Sequence, residues 1–354
     1  MIDVAVIGGG PAGAASAIHL ARAGAQVTLF EKKIFPRPKL CGGFLSAEAL
    51  PLLERLGVRE QMEADGWPLR RALISAPGGA VAEIDLPSPG LSVDRSVMDA
   101  LLLERARAEG VCVEHRQVAL ETLASSPMTV VASGRAPKPG TAYYGIHAFF
   151  DDVPALADQV ELHLLSGGYV GLSRQTKERV TLCALLDAAP LRAAPTLDEL
   201  LKALMRANPL LARRLRDARR VSVWQAVGPV VMGMRRLTQG RALFVGDAAC
   251  VVDPFFGEGM AMALHGAQCV GRAWRSSAQD AGAVYENLWK RSLGHAVAIG
   301  SLLRRALGSR RRQGFVVSGF KKFPSVMQWL NKHSRVPDSD PYEYNEPHPN
   351  RRAV

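Results

Sequence analysis

A glycine loop close to the start of the chain constrains the fold more than any other feature. Residues 2–7, Ile-Asp-Val-Ala-Val-Ile, read as a buried parallel strand, and Gly8-Gly9-Gly10-Pro11-Ala12-Gly13 follows at once in the pattern G-x-G-x-x-G. A helix then runs to about Ala23, Gly24 stops it, and Gln26 to Glu31 form a second strand. In such a unit Gly8 permits the tight turn, Gly10 lets the backbone approach a pyrophosphate, and Gly13 lets the helix lie close to the sheet. Ala17 keeps the same helix face small. The helix N-terminus presents unpaired N–H groups and the positive end of its dipole to phosphate. Glu31 ends the second strand 18 residues after Gly13, where it can accept hydrogen bonds from an adenosine ribose. An acid at this place favours a free ribose, and so FAD or NAD over NADP.

A second loop lies far along the chain. The apolar run Ala242–Val245 leads into Gly246-Asp247, and Gly257-Glu258-Gly259 opens a helix to about Trp274. An Asp at a strand end can bond a polyol, and a helix N-terminus can stabilise negative charge on a reduced ring. The pair suits the ribitol and isoalloxazine of a flavin. Between the loops, residues 32–45 read as a Pro/Gly loop, with Ser46 as the cap of a helix to Leu56 despite Pro51. Residues 67–92 read as short strands, 95–109 as a helix, and Val111–Glu114 and Val130-Val131 as strands. Alternating strands follow from Tyr143 to Leu186, then a helical stretch Thr196–Ala218 broken near Pro209, then a strand Val221–Val227.

The expected class is therefore α/β (α+β): a Rossmann-like domain carrying an inserted antiparallel β-sheet domain and a C-terminal helical region. Residues 1–66, 93–142 and 228–279 would build the discontinuous nucleotide domain. Residues 67–92 and 143–227 would build the substrate domain, 280–337 a basic helical region, and 338–354 a disordered tail. With 354 residues and 48% apolar content, disorder of the whole chain is excluded.

The glycine loop with Glu31, the segment Arg37-Pro38-Lys39-Leu40-Cys41-Gly42-Gly43, the helix start Asp94-Arg95-x-x-x-Asp99, and Gly246-Asp247 through Gly259-Met260 occur in one order. That order resembles the geranylgeranyl reductase-like flavoproteins, a branch of the para-hydroxybenzoate hydroxylase-like FAD superfamily, over about residues 1–275. The resemblance implies FAD contacts from Glu31, Cys41, Gly42, Arg95, Asp247, Gly259 and Met260, and a backbone contact of Val118 with adenine. Gly8, Gly10, Pro11, Ala12, Gly13, Lys32, Gly246, Pro254 and Gly257 complete the expected cofactor set. The run Gly167-Gly168-Tyr169-Val170-Gly171-Leu172 resembles the family's substrate-sheet segment, and Tyr169, Gly171 and Trp224 are the expected substrate-facing residues. Two departures stand out. Ala132-Ser133-Gly134 replaces the usual Ala-Asp-Gly, which removes a charge from one FAD contact, and the segment from Val111 to Val131 is short.

By the family's geometry Cys41 and Lys39 would lie over the active face of the flavin, and are the candidate catalytic residues. Cys41 would donate a proton or simply pack. Arg37 would meet a polar substrate head or an FAD phosphate, and Glu258 would be a cap partner or face the ring. His19, His147, His163 and His265 show no triad or metal spacing, and His19 reads as structural. The five Trp do not form the Trp-x-Trp-x-Ile-Pro pattern of tryptophan halogenases. No second G-x-G-x-x-G follows a strand, so NADH or NADPH would dock transiently, or a separate donor would reduce the flavin. The expected activity is flavin hydride transfer to a carbon–carbon double bond of a prenyl-lipid or lipidic polyketide-like substrate. Two alternatives stand: a monooxygenase hydroxylating an aromatic or polyketide substrate through a flavin hydroperoxide, and a non-catalytic flavin-binding membrane-associated protein.

The net charge of +11 is confined to one block. Residues 287–337 carry 11 Lys and Arg and no Asp or Glu, and the remaining 33 basic residues equal the 33 acidic ones. Large apolar residues interleave with this basic block, as on helices that lie on anionic membrane surfaces. Helices packed on the body with a solvated face would read the same way, and no nucleic-acid motif accompanies the charge. No apolar run reaches the ~18 residues of a membrane span, and no signal segment is visible. Five scattered cysteines without a C-x-x-C pair argue against a disulfide framework or metal site. A cytoplasmic protein with peripheral membrane contact is expected.

Overall fold

The computed structural model describes residues 4–123, 126–135, 138–154, 156–307, 310–322, 333 and 335–336. The expected tail 338–354 lies outside them. In chain order the first elements are β1 (Val4–Ile7), α1 (Pro11–Arg22), β2 (Val27–Phe30), β3 (Phe44–Leu45), α2 (Ala49–Leu56), α3 (Arg59–Asp65), β4 (Trp67–Ser75), β5 (Val81–Ser92), α4 (Arg95–Ala108), β6 (Cys112–Glu114) and β7 (Met128–Val131). Next come β8 (Tyr143–Asp151), β9 (Gln159–Leu165), β10 (Gly168–Arg174), β11 (Val180–Leu186), α5 (Ala188–Ala193), α6 (Leu197–Ala207), α7 (Pro209–Leu215), β12 (Arg219–Arg220) and β13 (Gln225–Val230). The last are β14 (Gly233–Met234), β15 (Thr238–Gln239), β16 (Ala242–Phe244), β17 (Cys250–Val251), α8 (Gly259–Ser276), α9 (Ala281–Leu307) and α10 (Arg310–Lys322).

Two sheets organise these elements. The first has six strands in the order β15-β16-β7-β1-β2-β6, parallel except for β15. Strand β1 is buried on both faces, which is why it reads as a continuous apolar run. Helix α1 offers the small residues Ala14, Ala15 and Ala17 to the core beside Ile18 and Leu20, and packs along α8. The fit between the helices is close: a Cβ at Gly271 of α8 would lie 2.6 Å from the Cβ of His19. His19 is buried there, and burial, with Arg22 nearby, lowers its pKa to about 3, so it is a neutral packing residue.

The second sheet has nine strands. Its path β12-β8-β11-β10-β9-β4-β5-β3 draws β4 and β5 from one part of the chain and β8–β11 from another, joined where β4 pairs in parallel with β9. Alternation along β10 sets Val170 into the core under α6 and α7, beside Leu200, Leu204 and Leu211, while Tyr169, Gly171 and Ser173 line a cavity. A buried polar cluster fastens this sheet to α7. Glu161 accepts from Arg214 at 2.6 Å and lies 3.1 Å from His163, whose Nδ1 is 2.8 Å from Ser75 Oγ. Asn208 joins Ser75 and also caps α7 by accepting from Leu210 N and Leu211 N.

Two boundaries differ from expectation. Ser46 does not cap α2; the helix starts at Ala49 behind Glu48, which makes no side-chain cap bond. Pro51 then falls in the first turn, where its missing N–H costs nothing. The 196–218 stretch breaks at Pro209 as expected, because Pro209 starts α7 at its first position. The strand expected over 221–227 runs from Gln225 to Val230.

Candidate functional site

The two sheets enclose a cavity of about 840 Å³. One side is built by the glycine loops. Helix α1 starts just after Gly10 with no side-chain cap and no acid in its first turn, which leaves its N–H groups for an anion. Gly13 lies beneath the lining, and a Cβ there would stand 1.8 Å from the carbonyl oxygen of Gly8, so only glycine allows the helix this close. The two loops also meet. Gly246 has φ +61°, and a Cβ on it would be 2.9 Å from that of Ala12. Glu31 is buried and held by the loop: its Oε2 accepts from Gly9 N at 2.7 Å and its Oε1 from Lys33 N at 2.9 Å. These features suit a dinucleotide: an uncapped helix end for the pyrophosphate and a fixed acid for the ribose.

The expected cofactor residues gather at this cavity. Gly8, Gly10, Pro11, Ala12, Glu31, Lys32, Cys41, Gly42, Arg95, Val118, Gly246, Asp247, Pro254, Gly257, Gly259 and Met260 all line it. Ser133, in place of the usual Asp, lines it too, and Arg135 two residues on lies 3.8 Å from Asp247. Arg116 and Arg135 are lining cations that the sequence reading did not single out. Their segments carry no pattern to find them by, because an arginine on an irregular loop has no periodicity.

Asp99 carries more weight than its place in the Arg95-x-x-x-Asp99 spacing indicated. Its fully buried carboxylate accepts from Arg95 Nε at 2.8 Å and Nη2 at 3.0 Å, and pairs with Lys39 Nζ at 2.5 Å. Burial opposes the charge on Arg95, but Asp99 and Cys41 more than compensate and raise its pKa. Burial lowers the Lys39 pKa despite Asp99. Lys39 lines the cavity. Its ammonium sits on Asp99, 4.7 Å from the centre of the Phe35 ring, and a Cβ on Gly10 would lie 3.5 Å from Nζ. The lysine is a fixed positive charge beside the phosphate loop. Cys41 lies half-buried on the wall, its Sγ accepting from Gly43 N at 3.4 Å. Cys183 of β11 lines the same wall, and burial, with Cys41 nearby, pushes its pKa up to about 12, so it stays a thiol.

The opposite side is apolar. Ala72 and Ile74 of β4, Ile84 of β5, Val160 and Leu162 of β9, and Tyr169 of β10 line it, with Gly171 leaving space. Trp224, expected to face the substrate, does not. It lies outside the cavity, its ring packed against Phe150 and its Nε1 donating to Asp198 Oδ1 at 2.9 Å. The residue precedes β13, and its ring turns to the helix side, where α6 supplies an acceptor. Gln225, Ala226 and Val227 line the cavity instead.

Glu258, at the start of α8, points away from the cavity. It accepts from Arg335 Nη1 at 2.6 Å, and the same guanidinium reaches Glu48 at 3.1 Å. Burial is the main force pushing the Glu258 carboxyl up to about 7, with Arg335 pulling it back and Glu48 adding to it. Arg335 itself lines the cavity rim. Among the described residues no group of three or more His, Cys, Asp or Glu could hold a metal ion.

Residues 1–150 match the FAD binding domain family. The chain is 31% identical over 201 residues to digeranylgeranylglycerophospholipid reductase 1 of Methanopyrus kandleri, a match covering 54% of this chain and about half (48%) of that protein. It is 29% identical over 309 residues to menaquinone reductase of Mycobacterium tuberculosis, covering 73% of this chain and 72% of that one. The solved flavin-dependent brominase Bmp2 superposes with a TM-score of 0.78 at 19% identity, covering 93% of each chain, and shares the fold. The resemblance drawn from the sequence holds at the level of FAD-dependent oxidoreductases, with FAD as the cofactor.

Proposed function

We propose that this FAD-dependent oxidoreductase, whose first 150 residues match the FAD binding domain family, reduces a carbon–carbon double bond in a hydrophobic molecule of prenyl-lipid or lipidic polyketide type. One observation carries the reading: a single cavity runs from the two glycine loops to an apolar wall formed by β4, β5, β9 and β10. The names of the two reductases similar to this chain support it. When bound, FAD supplies a two-electron carrier able to give hydride to an alkene.

The chain's own residues bind, orient and exclude water. Glu31 receives the ribose hydroxyls, and the α1 N-terminus faces the pyrophosphate with Lys39 and Arg95 as fixed counter-charges. Ile74, Ile84 and Leu162 shed water around an apolar substrate. Cys41, on the cavity wall, is the proton donor this reading assigns to complete the reduction; Cys41→Ser should slow turnover about a hundredfold or more at equal flavin loading.

The test is turnover of a purified, flavin-loaded sample with NADH or NADPH and a prenyl lipid in an anaerobic cuvette. A product carrying two added hydrogens supports the reading. A reaction that stops without oxygen and resumes with it would overturn the reading in favour of hydroxylation.

A further inference from the structure

We propose that α10 seats the protein on an anionic lipid bilayer, and that the same helix is the outer wall of the cavity's apolar end. The inner face of α10 is committed. Gln313 donates to Leu165 O at 2.9 Å, and Val317 and Phe320 are buried against Ile74, Ile84, Leu164 and Phe255. Ile74, Ile84 and Phe255 also line the cavity, so one layer of side chains separates the cavity from α10.

The outer face has a different chemistry. Arg312, Phe315, Ser318 and Lys322 follow one another along an exposed stripe, with Lys321 beside it. Phe315 is 83% exposed, and Leu302 on the preceding α9 is 65% exposed. Two large apolar side chains held in water, within 51 residues that carry 11 cations and no acid (287–337), match an interface of anionic headgroups over acyl chains. Among the described residues no helix is long and apolar enough to cross a membrane, so the contact is peripheral. A nucleic acid would also attract the charge. A bilayer is favoured because the helix backs onto an apolar cavity, which a polyanion would not use. Delivery of a hydrophobic substrate through this wall rests on the reading proposed above; the docking itself does not.

The experiment uses the purified full chain loaded with FAD and needs no turnover, so its failure is separate from failure of the proposed reaction. Sedimentation is measured with phosphatidylglycerol-containing vesicles and with phosphatidylcholine vesicles alone. Binding is expected only to the anionic vesicles, falling steeply between 0.1 M and 1 M salt as the screening length contracts from about 10 Å to about 3 Å. Reversing Arg312, Lys321 and Lys322 to Glu should weaken binding at least about a hundredfold, at roughly fivefold per cation. Phe315→Ser should weaken it several-fold while flavin absorbance and thermal midpoint stay unchanged. The proposal is overturned by equal binding to both vesicle types, by salt-independent binding, by no binding to anionic vesicles, or by a duplex oligonucleotide that displaces the protein from them.

Discussion

Single residues at this site act by holding other residues' charges. Asp99 is the clearest case, since its one carboxylate fixes both Arg95 and Lys39. Asp99→Asn would leave two partly buried cations without their anion. The expected cost is about 3 kcal/mol of stability in urea unfolding, with a fall in flavin retained per protein after gel filtration. Unchanged stability would show that solvent reaches the pair freely. Arg335 makes a second case with a defined pH signature. The folded-state pKa of Glu258 stands above its ordinary value, so the stability it contributes is greatest in acid and is lost as pH rises through about 7. Removing Arg335 takes away the cation that opposes this loss, while Glu48 remains to worsen it. Arg335→Gln should therefore destabilise the protein more at about pH 8 than at about pH 6, where Glu258 can take up a proton. A deficit equal at both values would argue that the ion pair is solvated. Asp99 was half visible in the sequence, as an Arg-x-x-x-Asp spacing that brings both groups onto one face of a helix. Arg335 was not visible at all, because Glu48 and Glu258 become its neighbours only through tertiary closure.

Among elements, the joint between β9 and α7 carries a polar cluster in place of an apolar one. Burial alone would raise the Glu161 carboxyl, yet hydrogen bonds from His163 and Arg214 win and lower it. That contribution is present at neutral pH and lost as pH falls below the ordinary carboxylate range. Arg214→Met should cost about 3–5 kcal/mol by stranding a buried carboxylate, and Glu161→Leu in the same chain should recover most of it. A double-mutant cycle in urea reads this directly, and additive losses would show that the two side chains do not couple. At this scale the sequence was informative about parallel strands and glycine loops, whose patterns are local. It was weaker where a strand's face matters. The alternation around β13 did not reveal that Trp224 turns to the helix side, because its deciding partner, Asp198, lies on a separate element.

For the whole molecule, the cavity matters because both sheets contribute walls to it. A ligand filling it ties two cores that the chain assembles from interleaved segments. FAD at about a thousand times its dissociation constant should add about 4 kcal/mol of stability. Thermal melts of flavin-stripped and reloaded protein test this, and an unmoved midpoint would remove the cavity as the cofactor site. The two runs of short strands that supply β4, β5 and β8–β11 were readable in the sequence, and β4 pairing with β9 unites them. The docking of α10 against that sheet was not readable, since its basic and apolar residues fit a packed helix and an interfacial one equally well. The structure shows a helix with one face of each kind.

Arg335 is supplied to the start of α8 from 77 residues further along the chain. On a ribosome, Glu48 and Glu258 would emerge long before their counter-ion, and the dinucleotide-binding layers could form with this corner still open. The seam would close only once the residues around Arg335 had left the exit tunnel.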